Sequence, residues 1–342
     1  MKVKSSEYLT NTRPLLKKLL NRLLESFSYA SILAVDSEAY QYRVSKTVTF
    51  MGEDDLLCNR GFVIKVYDGN AYGEYSFNDI SEEKIEDIVS MVKSVVALKE
   101  SVNGMTLSQY KQLEDEPCTF CESTDYEIAP EDMGDEAILA KLTEIKDDAL
   151  LYDKKILNAT VGLSTQKYSK LFLSPNRDME QNVMWACGML MVDAKKDAVV
   201  KYSFKGFSNL GGIEIMRDIR GGIGHVGKNT LELLEASPIE PGEYDCICTP
   251  EVTGMIAHEA FGHGVEMDMF VKDRALAKAY VGKDVAAPVL TMHDGANMAC
   301  EHEVASYFFD DEGVLSKDTV VIKDGVLQTG ISDAQSAMSL GT

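Results

Sequence analysis

Four scarcities in this chain of 342 residues each narrow its function. No apolar run approaches the roughly 20 residues of a membrane-spanning helix, so a membrane role is not expected. No basic, then apolar leader opens the sequence, which points to the cytoplasm. Basic side chains are few, 34 Lys and Arg against 55 Asp and Glu, leaving a formal charge of -21. That field repels phosphates, and no dense local cluster of Lys and Arg offsets it, so nucleic acid is not an expected partner. Cysteines number seven, an odd count that reads, without a leader, as reduced thiols. What remains is an ordinary globular composition, in a chain long enough for two or three domains around a sizeable core.

The pattern of apolar residues predicts an α+β fold. Leu15, Leu16, Leu19, Leu20, Leu23 and Leu24 form one stripe with Lys17, Lys18 and Arg22 outside it, a helix docked on a core rather than on a membrane surface. Strands are expected at 31–35, 40–50, 61–66 and 71–77, the last two joined by an Asp68-Gly69 turn. A helix capped by Ser81 follows, with Ile85, Ile88, Val89, Val92 and Val96 on its buried face. Residues 109–130 read as a polar linker, with Cys118 and Cys121 as ordinary loop cysteines. A helix over 135–151 and strands at 158–166, 170–174 and 181–193 repeat the layered logic. Residues 243–248 read as a short strand. Strands at 289–292, 304–309, 319–322 and 326–330 make the last part β-rich. The expected division is an N-terminal α+β domain over 1–108, a middle α+β domain over 109–236 and a β-rich catalytic domain over 237–342.

Two of only five histidines fall together in His258-Glu259-Ala260-Phe261-Gly262-His263, an HExxxH pattern. Neutral imidazoles suit zinc, and a glutamate beside a ligand can take a proton from a metal-bound water. The spacing is one residue longer than in the familiar HExxH helix. Ligands four apart on an α-helix are separated by about 40° around its axis, ligands five apart by about 140°. The spacing therefore predicts a local widening such as a π-bulge, or a helix ending near Gly262 and Gly264. Thr249-Pro250 marks the start of that helix, with Val252, Met255, Ile256 and Ala260 expected on its buried side. Leaving these polar groups buried and unpaired would cost about 1–3 kcal/mol each, which favours a metal.

The segment 238–268, with Pro241-Gly242, Thr249-Pro250 and His-Glu-Ala-Phe-Gly-His-Gly-x-Glu-x-Asp, resembles the TldD branch of the TldD/PmbA peptidase family. Gly61 with the Lys65–Asn70 hairpin, Asp310-Asp311-Glu312-Gly313 and Ile322-Lys323-Asp324-Gly325 agree with it, and the resemblance runs through nearly the whole chain. It implies a zinc-dependent metallopeptidase subunit acting on unfolded or extended peptides. His258 and His263 would hold the metal and Glu259 would act as general base. It also implies a heterodimer with a PmbA (TldE)-type partner, with a homodimer as the other arrangement. Some members of the family were once described as modulating DNA gyrase, but the acidic charge of this chain gives no support for direct DNA contact.

A catalytic zinc usually takes three protein ligands. The resemblance implies a cysteine as the third, in a downstream segment that this sequence does not contain, so a truncated form with a weak half-site is the expectation. Glu266 is the nearest local substitute, and Cys246, Cys248, Cys300, His293 and His302 depend on the fold. A chain lacking the full set would be a catalytically silent scaffold or partner-binding subunit. The run Gly222-Ile-Gly224-His225-Val-Gly227-Lys228 imitates a nucleotide-binding loop, but Asn229 stands where a P-loop needs Ser or Thr. No buried strand precedes it. A flexible turn leading into a helix capped near Asn229 is the expectation there.

Overall fold

The computed structural model describes residues 1–100, 111–296 and 304–342. After α1 (Glu7–Leu24) come β1 (Tyr29–Val44), β2 (Thr49–Glu53), β3 (Arg60–Tyr67), β4 (Tyr72–Phe77) and α2 (Ile85–Glu100). Next are β5 (Cys118–Ser123), α3 (Pro130–Met133), α4 (Asp135–Leu150), β6 (Ile156–Leu173), β7 (Arg177–Lys196) and β8 (Val199–Asn209). Two helices, α5 (Met216–Gly221) and α6 (Ile223–Glu235), lead to the last third. That third holds α7 (Pro250–Ala257), α8 (Met267–Val271), β9 (Met292–Gly295), β10 (Asp318–Lys323), β11 (Val326–Leu327) and α9 (Ala334–Leu340). The fold is α+β, with mainly antiparallel strands.

One eight-stranded sheet runs through the first two thirds in the order β4-β3-β1-β6-β7-β5, with β2 also on β1 and β8 also on β7. The long strands change partners along their length. β1 pairs with β3 over Tyr29 to Asp36 and with β2 over Tyr40 to Val44. β7 pairs with β5 over Arg177 to Asn182, in parallel, and with β8 from Ala186 on. The expected breaks inside β1 and β6 do not occur. The polar residues Asp36, Ser37 and Glu38 stay in register with Ser169, Tyr168 and Lys167, so a continuous ladder overrides their turn preference. The expected linker likewise departs from its reading: Cys118 to Ser123 form a strand, because Phe120 packs against Phe308 and Phe309.

Even positions of β1 (Ile32, Ala34, Tyr42, Val44) and odd positions of β6 (Val161, Leu163, Leu171, Leu173) share one face, as alternation in paired strands requires. Helices cover that face in two groups. Leu16, Leu19 and Leu23 of α1 and Ile85, Val89 and Val92 of α2 meet Ile32, Ile64 and Leu173 in one apolar cluster. Ile138, Leu142 and Ile145 of α4, with Ile219 and Val226, meet Tyr42, Leu163 and Leu190 in another. The leucine stripe is thus spent in the core. Among the described residues no helix is long and apolar enough to cross a membrane.

The opposite face receives a loop from the last third. Phe309, fully buried, joins Phe172 and Met179. The Gln181 side-chain oxygen accepts from the backbone N–H of Phe308 (2.8 Å) and Phe309 (3.0 Å). Trp185 Nε1 donates to the Ser306 carbonyl at 3.1 Å. Buried Lys170 reaches Asp311 at 2.5 Å and the Phe309 carbonyl at 3.3 Å. Gly313 turns this loop at φ +74°, where a Cβ would lie 2.5 Å from the Phe172 ring, so glycine is required twice over. The expected strand at 304–309 does not form over its described residues 304–309, which make a turn and a single bridge from Phe309 to Leu315. β9, β10 and β11 form a separate three-stranded sheet over Val265, Val321, Ile322 and Leu327.

Candidate metal centre

The helix that carries the histidines begins where the sequence places it. Thr249 is extended (φ -68°, ψ 162°) and Pro250 opens the first turn, where its missing N–H costs nothing. Two other expectations fail. Residues 243–248 are irregular and exposed, with no neighbouring strand to pair with among the described residues. The expected buried side of α7 lies open: Val252, Met255 and Ile256 are 48%, 60% and 52% exposed, and Ala260 is exposed too. Their apolar character is real, but no described element packs on them.

At His258 the helix widens into a π-turn through Gly262, followed by a single tight turn, His263–Val265. The His263 backbone N–H donates to the His258 carbonyl, five residues back. That bond brings residue 263 round above residue 258, where an α-helix would have splayed them. The two rings stand 4.5 Å apart between centroids, at 72° to each other. One potential ligand atom each from His258, Glu259 and His263 falls within 4.8 Å of the other two. All three side chains are exposed.

This donor set fits zinc in kind, with two imidazoles and one carboxylate. Zinc bonds to nitrogen of about 2.0–2.1 Å bring two ligating nitrogens to just over 3 Å apart, a separation inside the 4.8 Å limit within which these ligand atoms lie. Among the described residues no fourth His, Cys, Asp or Glu joins the trio. Glu266 instead sits 2.8 Å from His263 Nδ1. Cys246 and Cys248 lie on the irregular approach to α7, and His293 is engaged with Asp318 at 2.7 Å. Cys300 and His302 lie outside the described residues.

A groove of about 650 Å³ opens beside the π-turn, lined by Ala260, Phe261, Leu276, Tyr280, Val285 and Ala286. The sequence reading missed it, because residues 276–286 form an irregular stretch and a short 3₁₀ turn with no periodic signal. A second groove of about 550 Å³ is acidic: Glu266, Asp268, Asp310 and Asp333 line it with Lys170. Burial pushes the Asp310 carboxyl above its ordinary range, although the backbone N–H groups of Val314 and Glu312 bond to it.

The other two motifs do not take the geometry that their patterns suggest. Gly222 to Lys228 lead into and then lie within α6, with the Gly222 N–H donating to the Asp218 carbonyl and the Val226 N–H to the Gly222 carbonyl, so the run is a helix start following another helix and not a loop that follows a strand. Asn229 is mid-helix, not a cap, with its side chain 3.0 Å from His225. Cys118 and Cys121 sit on β5, and burial raises the Cys121 thiol, the wrong direction for a reactive thiolate.

Residues 241–342 match the family profile described as the PmbA/TldA metallopeptidase C-terminal domain. A metalloprotease of Methanocaldococcus jannaschii is 26% identical over 328 residues, 93% of this chain and 69% of its own length. A zinc metalloprotease TldD homolog of Saccharolobus solfataricus is 30% identical over 154 residues, 45% of this chain and 34% of its own. The crystal structure of TldE from Thermococcus kodakarensis shares the fold, with a TM-score of 0.67 at 16% identity over 96% of this chain and 72% of its own.

Proposed function

We propose, from the match of residues 241–342 to the PmbA/TldA metallopeptidase C-terminal domain, a likeness to a named metalloprotease over 93% of the chain and a likeness to a named zinc metalloprotease TldD homolog over 45% of it, that the protein is a zinc-dependent peptidase subunit. The observation that carries this reading is the convergence of His258, Glu259 and His263 within 4.8 Å on a π-turn. His258 and His263 would hold the metal. When bound, the ion supplies Lewis acidity, polarising a peptide carbonyl and acidifying water. Glu259 accepts the proton of the attacking water and returns it to the leaving amine, the role of a carboxylate general base. Its exposure lets substrate reach it without a rearrangement of the core.

The substrate class is an unfolded or extended peptide, held along its backbone and therefore broad in sequence. The partner is a TldE-type subunit, with a homodimer as the other arrangement, and the site of action is the cytoplasm. The division into 1–108, 109–236 and 237–342 belongs to the same proposal.

Glu259→Gln should abolish peptide cleavage, assayed with and without a TldE-type partner, while leaving zinc content unchanged. Retained cleavage would remove Glu259 from this role. A second reading, a catalytically silent scaffold or partner-binding subunit, is favoured by one observation: among the described residues no further His, Cys, Asp or Glu joins His258, Glu259 and His263 to serve as a third ligand. Zinc analysis beside the cleavage assay separates the two, because the scaffold binds its partner with neither metal nor turnover.

A further inference from the structure

His263 has a partner that the peptidase reading does not use. Glu266 lies three residues on, and its Oε1 is 2.8 Å from His263 Nδ1. It stands apart from the ligand-atom cluster of His258, Glu259 and His263. We infer that Glu266 is a positioning residue for the metal centre rather than its third ligand. By accepting the Nδ1–H of His263, it sets the tautomer of that ring and leaves Nε2 as the nitrogen that faces the ion. This rests on the reading of His258 and His263 as ligands.

The chemistry follows from proton counting. A neutral imidazole carries one N–H, and an ionised carboxylate can only accept. A 2.8 Å contact between Nδ1 and Oε1 therefore places the proton on Nδ1 and the lone pair on Nε2. Outer carboxylates of this kind orient metal-ligating histidines and raise their basicity.

An exposed glutamate could not hold a ring steady if its backbone were loose, and here the backbone is clamped. Residue 266 sits between the tight turn and α8, in extended conformation (φ -64°, ψ 113°). Its neighbours Val265 and Met267 are buried. The Met267 N–H donates to the Ile331 carbonyl at 2.8 Å, and the Ile331 N–H donates to the Val265 carbonyl at 2.9 Å. Gly330 permits this approach, since a Cβ there would lie 2.2 Å from the Val265 carbonyl oxygen. The clamp continues to the large sheet: the Ala334 N–H donates to Glu312 at 2.8 Å, and Glu312 accepts from Lys65 of β3 at 2.8 Å. The segment that pairs with residues 265–267 is thus itself tied to a strand of the large sheet.

Two measurements on the full chain test this. With ¹⁵N-labelled histidine and no metal, long-range proton–nitrogen correlation at neutral pH should show His263, assigned through His263→Ala, as the Nδ1–H tautomer. Glu266→Ala should shift it toward Nε2–H, and Glu266→Gln should retain it, because the amide oxygen still accepts. Zinc affinity, by competition with a chromophoric chelator, should weaken roughly 10- to 100-fold in Glu266→Ala, with Glu266→Gln between it and the parent. An Nε2–H tautomer in the parent chain, or undiminished zinc affinity in Glu266→Ala, overturns the inference. A parent chain with no zinc affinity instead overturns the ligand assignment beneath it, whichever tautomer is seen.

Discussion

At the scale of single residues, charge placement gives the sharpest expectations. Burial opposes ionisation of Asp178, but hydrogen bonds from Lys17 (2.6 Å) and Arg13 outweigh it and hold the carboxyl below its usual range. A folded-state pKa lower than the unfolded one stabilises the protein at pH values above the unfolded pKa. That contribution fades as pH falls through the folded value. Asp178→Asn should therefore cost about 1–3 kcal/mol at neutral pH, and the gap to the parent should close below about pH 4. Thermal melts at both pH values check the sign; an equal gap at both would refute it. Among the site residues, sequence reading reached His258, Glu259 and His263 through their type and spacing, and Glu266 through proximity alone. It could not tell whether Glu266 meets the ion or a ligand's far side, because that depends on Ile331, sixty-five residues later.

At the scale of elements, the π-turn was legible and its surroundings were not. HExxxH spacing is incompatible with regular α geometry if both rings serve one ion, so the widening at His258–Gly262 follows from angles alone. The exposed side of α7 was not legible, since Val252, Met255 and Ile256 have the composition of a buried face. Composition reports what a face could bury, not whether a partner element exists. The Asp68-Gly69 turn was readable because its chemistry is local: Asp68 accepts from the N–H of Asn70 and Ala71, and Gly69 takes φ +100°. The loop over Phe309 was unreadable for the converse reason, its contacts lying well over a hundred residues away on β6 and β7. Gly313→Ala tests that docking. It combines a left-handed backbone with a clash against Phe172 and should cost roughly 2 kcal/mol or more, seen as a lower denaturant midpoint. An unchanged midpoint would mean that the loop is not seated there.

For the whole molecule, the apolar core and the candidate metal centre are kept apart. The large apolar clusters lie on the helical face of the eight-stranded sheet, whereas His258, Glu259 and His263 stand on a solvent-facing turn in the last third. Stripping metal with a chelator should leave the far-UV circular dichroism spectrum unchanged; loss of sheet signal would show that the ion is structural. The shared sheet has a further consequence. Leu171 and Leu173 complete the cluster under α1 and α2, while Tyr42 and Val44 complete the one under α4. Each half of the sheet has thus lent hydrophobic side chains to the other. A chain nicked between α2 and β5 should therefore still elute as a single species, and two separately expressed pieces divided there should complement one another only when refolded together.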